Sequence, residues 1–509
     1  MGSSCCCGPL DGQLGDESAF VLHDTGRTGL PSGGRTFIHV VVDNPGKITD
    51  FYDMSKKQLG EGSFGSVCKA TQKTTGAVRA IKKMSKQHVV ETLAKFKREV
   101  ALMKEMDHPN IIKLYETFED KRSISLVMEI CEGGELFDRI VEAQNFTETV
   151  SSIIMQQICR ATHYMHSKNI AHRDIKPENF LFLSRDPIDQ PNCLLKVIDF
   201  GLSRRFKEGE FMTTKAGTPF YVSPECLEGR YNQLCDTWSI GVVMYILLCG
   251  YPPFHADDEK AVLVKVRRST FDFPDADWKF ISESAKDLIR KLLKKRPGDR
   301  MTAEQALKHR WTKEHAPEAE PVSISTGFIS NLKNFHGQSK LKKVALHVIA
   351  SQLDASKIHG LRQLFTSIDT DGSGEITVKE LREGLAQQGL ESNDFESLMA
   401  SIDVNGSGMI NYTEFVAASL DMRQYLQEDV LWQAFSQFDR DGSGTISKDE
   451  LRLLLGDEDV SDMINKNTVD ELMAEIDKNG DGQIDFEEFV QMMRTQAMEA
   501  KSSKASISA

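Results

Sequence analysis

Four side chains in the first half of the chain are of the types that bind a nucleotide's phosphate groups and its metal ions. Lys82 ends an Ala-Ile-Lys run, Asp174 and Asn179 lie in the run HRDIKPEN, and Asp199 opens an Asp-Phe-Gly run. A lysine can neutralise phosphate charge, Asn and Asp can hold magnesium ions, and another Asp can accept the proton of an attacking hydroxyl group. This set, in this order, predicts transfer of a phosphoryl group from a nucleoside triphosphate.

The glycine-rich stretch GEGSFGSV precedes Lys82. Its candidate nucleotide-binding residues are Gly60, Gly62, Gly65 and Val67. Glycines let the backbone approach phosphates closely, but the same spacing marks dinucleotide sites, which require a strand-turn-helix unit and an acidic residue about twenty positions later. The valine, and then Ala80 before Lys82, favour a triphosphate site instead.

Two further charged residues are expected to support these groups. Glu99 lies in the amphipathic stretch 94–106 and is predicted to form an ion pair with Lys82; the alternative is an ordinary exposed acid on a helix. Lys176 follows Asp174 by two positions and is predicted to lie beside the γ-phosphate.

Four twelve-residue loops in the last third of the chain have a calcium-binding pattern. They read DTDGSGEITVKE, DVNGSGMINYTE, DRDGSGTISKDE and DKNGDGQIDFEE, and are numbered 1 to 4 below. Such a loop supplies oxygens from positions 1, 3, 5, 7, 9 and 12, with Gly at position 6 for the sharp turn and a backbone carbonyl at position 7. The predicted ligands are Asp369, Asp371, Ser373, Glu375 and Glu380 in loop 1; Asp403, Asn405, Ser407, Met409 and Glu414 in loop 2; Asp439, Asp441, Ser443, Thr445 and Glu450 in loop 3; and Asp477, Asn479, Asp481, Gln483 and Glu488 in loop 4.

The loops form an internal repeat. Their first residues are 34, 36 and 38 positions apart, and position 8 is Ile in every loop. This repeat predicts two pairs of loops, each joined by a short strand at the Ile. The alternative is helix-loop-helix units kept for structure without bound metal. Because more carboxylate ligands generally give tighter binding, the ligand count predicts that loop 4 fills first and loop 2 last.

Composition separates the loops from the rest of the chain. The 509 residues carry a net charge of −13, but residues 361–495 hold 10 Lys+Arg and 29 Asp+Glu, or −19, which leaves +6 for the remainder. The length predicts two or three domains. Nothing indicates a basic stripe for nucleic acid. The ten cysteines include no C-x-x-C run, which suits a reducing compartment.

These motifs together resemble the calcium-dependent protein kinases of plants, algae and protists. The resemblance covers roughly residues 45–495 and implies an α+β two-lobed protein kinase fold followed by an all-α, calmodulin-like EF-hand domain. It implies ATP, Mg²⁺ and Ca²⁺ as cofactors, and a monomeric enzyme that phosphorylates Ser or Thr of protein substrates. Ser223 is a departure, since kinases usually have Ala there, but it puts no catalytic role in doubt.

The resemblance also implies roles for residues outside these motifs. The implied adenine- and ribose-binding residues are Met128, Glu129, Cys131 and Glu135. Met128 would be the gatekeeper, although it could equally be a core residue. Asp236 is expected to brace the HRDIKPEN run, and Arg300 to pair with Glu225.

Acidic groups near the site carry two further expectations. Arg173 is expected to need a negatively charged partner between Asp199 and Glu225. The favoured partners are Glu208 and Glu210, and the alternative is phosphorylated Thr213 or Thr214. Glu135 and Glu178 predict substrates with Arg or Lys near the phosphoacceptor, unless both are simply solvated acids.

The predicted domains are an acylated flexible extension (1–50), the kinase domain (51–311), a junction with an autoinhibitory helix (312–357), the calmodulin-like domain (358–495) and a disordered tail (496–509). The junction has helically spaced apolar residues from Phe328 to Ile349 with four lysines among them. Calmodulin-type grooves bind basic amphipathic helices, so an intramolecular contact with the loops is predicted. An ordinary linker helix is the alternative.

The amino terminus, MGSSCCC, permits myristoylation of Gly2, although Cys6 stands where Ser or Thr is usual. Palmitoylation of Cys5, Cys6 or Cys7 would supply the second anchor that stable membrane binding requires. This predicts a cytoplasmic protein at the membrane surface; an unmodified tail is the alternative.

Three functions compete at this point. The leading one is a kinase switched on by its own calcium loops. The second is a binding protein whose kinase fold is only a scaffold, and the third is a constitutive kinase whose loops merely buffer calcium. ATP-dependent phosphorylation of a basic peptide, with and without a chelator, separates the three.

Overall fold

The computed structural model describes residues 41–62, 65–86, 90–190, 193–214, 216–315, 326–355, 357–385, 392–454 and 466–495. Four parts follow one another along the chain. They are an amino-terminal lobe built on a sheet (42–128), a helical lobe (136–315), the junction (326–352) and the loop domain (359–494). This is the predicted α+β two-lobed fold followed by a helical region.

A six-stranded sheet forms the amino-terminal lobe, in the strand order β1-β5-β6-β4-β3-β2. Its strands are β1 (Val42–Pro45), β2 (Tyr52–Gly62), β3 (Gly65–Gln72), β4 (Val78–Ser85), β5 (Leu114–Glu119) and β6 (Ser123–Met128), and its helices are α1 (Ile48–Phe51) and α2 (Val90–Lys104). β1 runs parallel to β5, and the other neighbouring strands are antiparallel. All six residues of β6 are buried, and α2 places Phe96 in the same core.

Residues 42–50 belong to this lobe, so the predicted flexible extension up to residue 50 is wrong for them. β1 pairs with β5, the side chain of Asn44 donates a hydrogen bond to Glu116, and Ile48 is buried. The β-branched run Val40-Val-Val42 is a strand signal. In the sequence it was outweighed by the glycine-rich residues before it.

The helical lobe follows. Its helices are α3 (Leu136–Ala143), α4 (Glu148–Ser167), α5 (Pro224–Glu228), α6 (Leu234–Cys249), α7 (Glu259–Arg268), α8 (Asp275–Trp278), α9 (Glu283–Leu292), α10 (Ala303–Leu307) and α11 (Arg310–His315), with 3₁₀ turns at Pro177–Asn179 and Pro297–Asp299. Its short strands are β7 (Ile170–Ala171), β8 (Phe180–Phe182), β9 (Leu195–Val197) and β10 (Arg204–Arg205). β8 pairs with β9 and β7 with β10, which fixes the loops that carry the reactive side chains.

Two helices define the core and the end of this lobe. α6 is almost wholly buried, as its apolar sequence predicts, and it fills the lobe's centre. In α11 the indole nitrogen of the buried Trp311 donates to Glu148 at the start of α4, at 2.7 Å. α11 therefore belongs to the helical lobe as far as His315, and the predicted boundary after residue 311 falls inside it.

The junction consists of two helices, not the single amphipathic helix that its apolar spacing predicted. They are α12 (Thr326–His336) and α13 (Lys340–Gln352). Ser339 caps α13 by accepting a hydrogen bond from the backbone N–H of Lys342, so a new helix begins there. Their buried apolar residues, among them Leu332 and Val344, belong to one core with the loop domain.

The loop domain contains α14 (His359–Ile368), α15 (Val378–Leu385), α16 (Ser392–Ile402), α17 (Tyr412–Ser419), α18 (Met422–Tyr425), α19 (Glu428–Phe438), α20 (Lys448–Leu454), α21 (Lys466–Ile476) and α22 (Phe486–Arg494). Strands β11 (Glu375–Ile376) and β12 (Ile410–Asn411) pair loops 1 and 2, and β13 (Thr445–Ile446) and β14 (Ile484–Asp485) pair loops 3 and 4. The position-8 isoleucines face each other in both pairs, which confirms the predicted pairing.

Candidate active site and calcium loops

The first reactive pair joins the sheet to α2. Lys82 lies on β4, and its Nζ is 2.6 Å from Glu99 Oε1 on α2. Both side chains are buried. Burial raises the pKa of Glu99 against the opposing charge of Lys82, and the charge of Asp199 raises it further. The charges of Lys82 and Asp199 thus both act on Glu99.

Asp174 is held by three side chains of the helical lobe. Asn179 Nδ2 donates to Asp174 Oδ2 at 3.0 Å, and Thr218 Oγ1 donates to Asp174 Oδ1 at 2.8 Å. Lys176 Nζ lies 3.1 Å from Asp174 Oδ2 and 3.1 Å from Thr218 Oγ1. Asn179 uses its amide nitrogen here, which leaves its amide oxygen as the group that would bind magnesium. Carboxylate and amide oxygens are suitable magnesium ligands, so Asn179 and Asp199 fit that ion.

The backbone beneath Asp174 is fixed by a buried acid. Asp236 accepts backbone N–H hydrogen bonds from His172 at 2.8 Å and Arg173 at 2.7 Å, and its Oδ2 is 2.8 Å from His166 Nε2. Burial opposes the charge of Asp236, but these hydrogen bonds keep its pKa low. The predicted bracing role of Asp236 is confirmed.

A second buried ion pair, between Arg300 and Glu225, lies at the end of the segment that follows Asp199. Arg300 Nη1 and Nη2 lie 2.6 Å and 3.0 Å from the two carboxylate oxygens of Glu225. Two parallel hydrogen bonds of this kind give a strong, directional contact. The predicted pairing of Arg300 with Glu225 is confirmed.

The glycine-rich strands β2 and β3 lie beside β4, the strand that carries Lys82. Val67 lies opposite Lys82, and Gly62 opposite Gly65, in the β2–β3–β4 register. A Cβ on Gly65 would come within 2.0 Å of the Lys83 carbonyl oxygen, so no larger residue fits without moving the backbone. Gly60 tolerates a Cβ, with nothing within 4 Å.

The predicted hinge residues follow β6. Met128 is buried and pairs with Ala80 across strands β6 and β4. This position fits both the gatekeeper role and an ordinary core residue. The carboxylate of Glu129 pairs with Lys196 at 2.8 Å, and its backbone N–H donates to the Lys113 carbonyl at 2.9 Å, so neither group is free for an adenine ring. Adenine binding through the rest of its backbone stays a prediction. Burial raises the pKa of the half-buried Cys131 thiol, which is thus a neutral neighbour for a nucleotide base.

Glu135 and Glu178 lie close together near Asp174. Burial, then the charges of Asp138 and Glu178, raises the pKa of Glu135. Burial also raises the pKa of Glu178, and the charge of Asp174 adds to this effect. A cation beside these two partly buried acids would favour their charged forms.

The expected partners of Arg173 are wrong. Its Nε donates to the Leu202 carbonyl at 2.6 Å and its Nη1 to the Tyr231 hydroxyl at 2.8 Å, so the guanidinium contacts neutral oxygens among the described residues. Glu210 instead lies 3.9 Å from Lys207. Glu208 and Glu210 flank Gly209, which has φ +80°, and both are exposed. The hydroxyl of Thr214 accepts from Arg204 Nη1 at 3.0 Å, and its carbonyl accepts from the Tyr231 hydroxyl that Arg173 also contacts.

Loops 1 and 3 have the carboxylate geometry that a bound cation requires. In loop 1 the ligand oxygens of Asp369, Asp371 and Glu380 lie within 4.8 Å of one another, and those of Asp439, Asp441 and Glu450 do the same in loop 3. Burial, together with the neighbouring carboxylates, raises the pKa of Asp369 to about 7. Burial raises the pKa of Glu414 in loop 2 to about 8. A divalent cation would neutralise carboxylates clustered in this way.

The backbone of every loop supports this arrangement. The position-6 glycines Gly374, Gly408, Gly444 and Gly482 all have φ between 80° and 87°. In loop 1, Asp369 accepts backbone hydrogen bonds from Ser373 and Gly374, and the position-12 Glu380 accepts them from Thr370 and Asp371. Loops 2, 3 and 4 repeat the position-12 contact.

Three contacts between the loop domain or junction and the two lobes have no signal in the sequence. Arg79 Nη1 on β4 lies 2.9 Å from Asp354 Oδ1, after α13. Asp107 accepts from the backbone and side chain of Thr413, at 2.8 and 2.7 Å. Lys168 Nζ is 2.7 Å from Glu375 Oε1 of loop 1. The partners are between 207 and 306 positions apart. Only the tertiary structure brings such residues together.

Comparison with known proteins assigns both parts. Residues 54–312 match the protein kinase domain family, and residues 359–420 and 428–494 match the EF-hand domain pair family. Calcium-dependent protein kinase 3 of Plasmodium berghei is 43% identical over 460 residues, covering 89% of this chain and 82% of that protein. Calcium-dependent protein kinase 34 of Arabidopsis thaliana is 42% identical over 443 residues, covering 86% and 83%. The chain belongs to the calcium-dependent protein kinase family.

In this kinase the reactive side chains come from separate elements: the sheet, α2 and the loops between β7 and β10. Sequence reasoning missed Thr218 as a partner of Asp174 and Tyr231 as a partner of Arg173. Thr218 had a weak signal, since it lies with Gly217 in the segment that also contains Arg173's predicted partners. Tyr231 had none.

Proposed function

We propose that calcium activates this serine/threonine protein kinase by holding its junction helices inside the loop domain. One observation carries the proposal. The Lys82–Glu99 pair and the Asp174 network are assembled in the same structure in which the buried apolar residues of α12 and α13 belong to the core of the loop domain. With empty loops the junction would be released toward the lobes and act as an inhibitor. If the calcium-loaded loop domain binds the junction more tightly than the empty loop domain does, calcium shifts the kinase from its inhibited to its active state.

The side chains have distinct tasks in phosphoryl transfer. Asp174 accepts the proton of the substrate hydroxyl and is oriented for this by Asn179, Thr218 and Lys176. Lys82, fixed by Glu99, neutralises the nucleotide phosphates, and Asn179 and Asp199 would hold magnesium. When bound, ATP would supply the phosphoryl group, and magnesium would neutralise the phosphate charge. Gly60, Gly62 and Gly65 would cover the phosphates, and Met128, Glu129 and Cys131 would border the adenine.

Substrate choice is proposed to depend on Glu135 and Glu178. Their raised pKa values reflect burial beside other acids. An Arg or Lys of a protein substrate would neutralise them, because ion pairing favours the charged carboxylate. Substrates with basic residues near the phosphoacceptor are therefore expected.

Membrane attachment through acyl groups is a separate proposal. Gly2, Cys5, Cys6 and Cys7 lie outside the described residues, as does the predicted tail from residue 496. None of the described helices is long and apolar enough to cross a bilayer. The proposal is therefore supported by the MGSSCCC sequence alone. It predicts a monomer attached to the membrane surface through N-myristoyl and S-palmitoyl groups.

The test is a peptide phosphorylation assay on the purified full chain with and without a calcium chelator. Asp174→Asn should lower kcat by at least about 100-fold, because a general base contributes that much. The exposed Asp189→Asn in the same lobe is the matched control and should leave kcat unchanged. Near-normal turnover of Asp174→Asn would reject the catalytic assignment. Turnover that is equal with and without chelator would reject calcium activation and favour loops that only buffer calcium.

A further inference from the structure

Loop 1 is packed against the helical lobe, unlike the other three loops. A Cβ on Gly372 would meet the Leu307 side chain at 2.8 Å, and a Cβ on Gly374 would meet His108 and Tyr164 at 2.6 and 2.8 Å. At the equivalent glycines of loops 2, 3 and 4 nothing lies within 4 Å. The backbone of loop 1 thus touches kinase side chains directly.

Basic side chains of the helical lobe surround this loop. Lys168, just after α4, forms the 2.7 Å ion pair with Glu375, whose side chain is only 7% exposed. The charge of Arg160 on α4 acts on Asp369, lowering its pKa against the effect of burial, and the charge of Lys308 reaches Asp371. A cation-rich face of the kinase therefore meets the most buried calcium loop.

Glu375 occupies position 7, where the backbone carbonyl and not the side chain is the calcium ligand. The side chain can therefore vary, and loops 2, 3 and 4 have Met409, Thr445 and Gln483 there. In loop 1 the side chain is bound to Lys168, while the carbonyl of the same residue accepts a hydrogen bond at 3.0 Å from the hydroxyl of Ser373, the predicted ligand at position 5. One residue thus links the kinase to calcium coordination.

We propose that loop 1 is itself the docking surface for the helical lobe, and that the Lys168–Glu375 ion pair couples calcium at this loop to docking of the kinase. The direction of this coupling rests on the proposed calcium activation. Coupling between two binding events is reciprocal. If calcium favours the docked, active arrangement, then docking must tighten calcium at loop 1 by the same factor.

Breaking the ion pair should therefore weaken calcium binding at loop 1. Lys168 is one-third exposed, which screens its charge, while Glu375 is buried. Single mutations along a coupled interface typically change the coupling by about two- to thirtyfold. Because the charge of Lys168 is partly screened, we expect Lys168→Met to raise the calcium dissociation constant at loop 1 by about three- to tenfold.

The experiment is calcium calorimetry on the full chain with one loop left intact. A background with Glu414→Gln, Glu450→Gln and Glu488→Gln leaves loop 1, and one with Glu380→Gln, Glu414→Gln and Glu488→Gln leaves loop 3. Lys168→Met should weaken calcium binding in the first background and leave calcium binding in the second unchanged. The swap Lys168→Glu with Glu375→Lys should restore binding in the first. Lys448→Met breaks a 2.7 Å surface pair with Asp470 beside loop 3 and serves as the unrelated ion-pair control.

Hydrogen exchange on the otherwise unaltered chain at saturating calcium gives a second readout. Lys168→Met should speed exchange in residues 369–380 and not in 439–450. No change at loop 1 in either measurement, an equal change at loop 3, or tighter calcium binding at loop 1 would each overturn the coupling. Because kinase activity is not measured, a failed chelator assay would reject the proposed activation separately.

Discussion

Loops 1 and 3 differ in surroundings far more than in sequence. Both have the core Asp-x-Asp-Gly-Ser-Gly and three ligand carboxylates, and in both the carboxylates converge within 4.8 Å. Yet Asp369 and Glu375 are buried against the kinase, whereas the first half of loop 3 is mostly exposed. Loop 3 does approach the amino-terminal lobe, since the charge of Arg440 acts on Asp43, but no hydrogen bond among the described residues joins them. The comparison teaches that ligand count alone does not decide what a calcium site controls.

The largest expected effect comes from removing the position-12 ligand of loop 1, with the same change in loop 3 as the comparison. Glu380→Gln should raise the calcium concentration for half-maximal activity by about tenfold or more, because coupling energies of this size are typical for allosteric sites. Glu450→Gln removes the same group from an exposed loop and should shift the midpoint about threefold or less. Calcium titration of peptide phosphorylation measures both. A larger shift for Glu450→Gln would break the comparison.

The sequence predicted the parts whose geometry is local. A calcium loop fixes its own turn with Gly374 or Gly444, and the HRDIKPEN run sets the spacing of Asp174 and Asn179. Such patterns need no knowledge of distant residues. Their partners along the chain, such as Glu99 for Lys82, followed from chemistry once the fold was implied.

The sequence could not predict what depends on packing between distant segments. The exposed-looking lysines of the junction illustrate this: Lys342 is buried and donates to the Thr495 carbonyl at 2.7 Å. Arg173 contacts Leu202 and Tyr231, which are 29 and 58 positions away, and not the predicted acids beside Gly209. The break between α12 and α13 had a detectable signal in Ser339, a helix-capping residue three positions before Lys342. The apolar spacing across it suggested one continuous helix.

An effect of intermediate size is expected from pH, which should change the free energy of unfolding through His347 on α13. His347 on α13 is buried, with Asp107 and Lys113 of the amino-terminal lobe facing it, and burial lowers its pKa to about 4. The unfolded side chain binds a proton near pH 6.5, so stability is complete above 6.5 and is lost as pH falls from 6.5 towards 4. At pH 5 the loss from His347 should be about 2 kcal/mol.

Denaturant unfolding of the full chain at pH 7.5 and pH 5 measures this loss. His347→Gln should lose about 2 kcal/mol less than the unaltered chain over that interval. His359→Gln is the control, because this histidine is partly exposed near α14 and its pKa is less strongly lowered. Equal losses in the unaltered chain and His347→Gln would show that the α13 interface does not titrate.

The smallest effect is expected at the Arg79–Asp354 pair, which joins β4 to the end of α13. Arg79 is 5% exposed and keeps two other partners, the Gln352 carbonyl at 3.3 Å and the face of Tyr115 at 4.0 Å. Asp354 is 55% exposed, so water and salt screen its charge. Asp354→Asn should therefore cost less than about 1 kcal/mol and shift the calcium midpoint about twofold at most, with a smaller shift at high salt. Calcium titrations at two salt concentrations measure this. A tenfold, salt-sensitive shift would mean that this ion pair, and not loop 1, is the main contact through which the kinase responds to calcium.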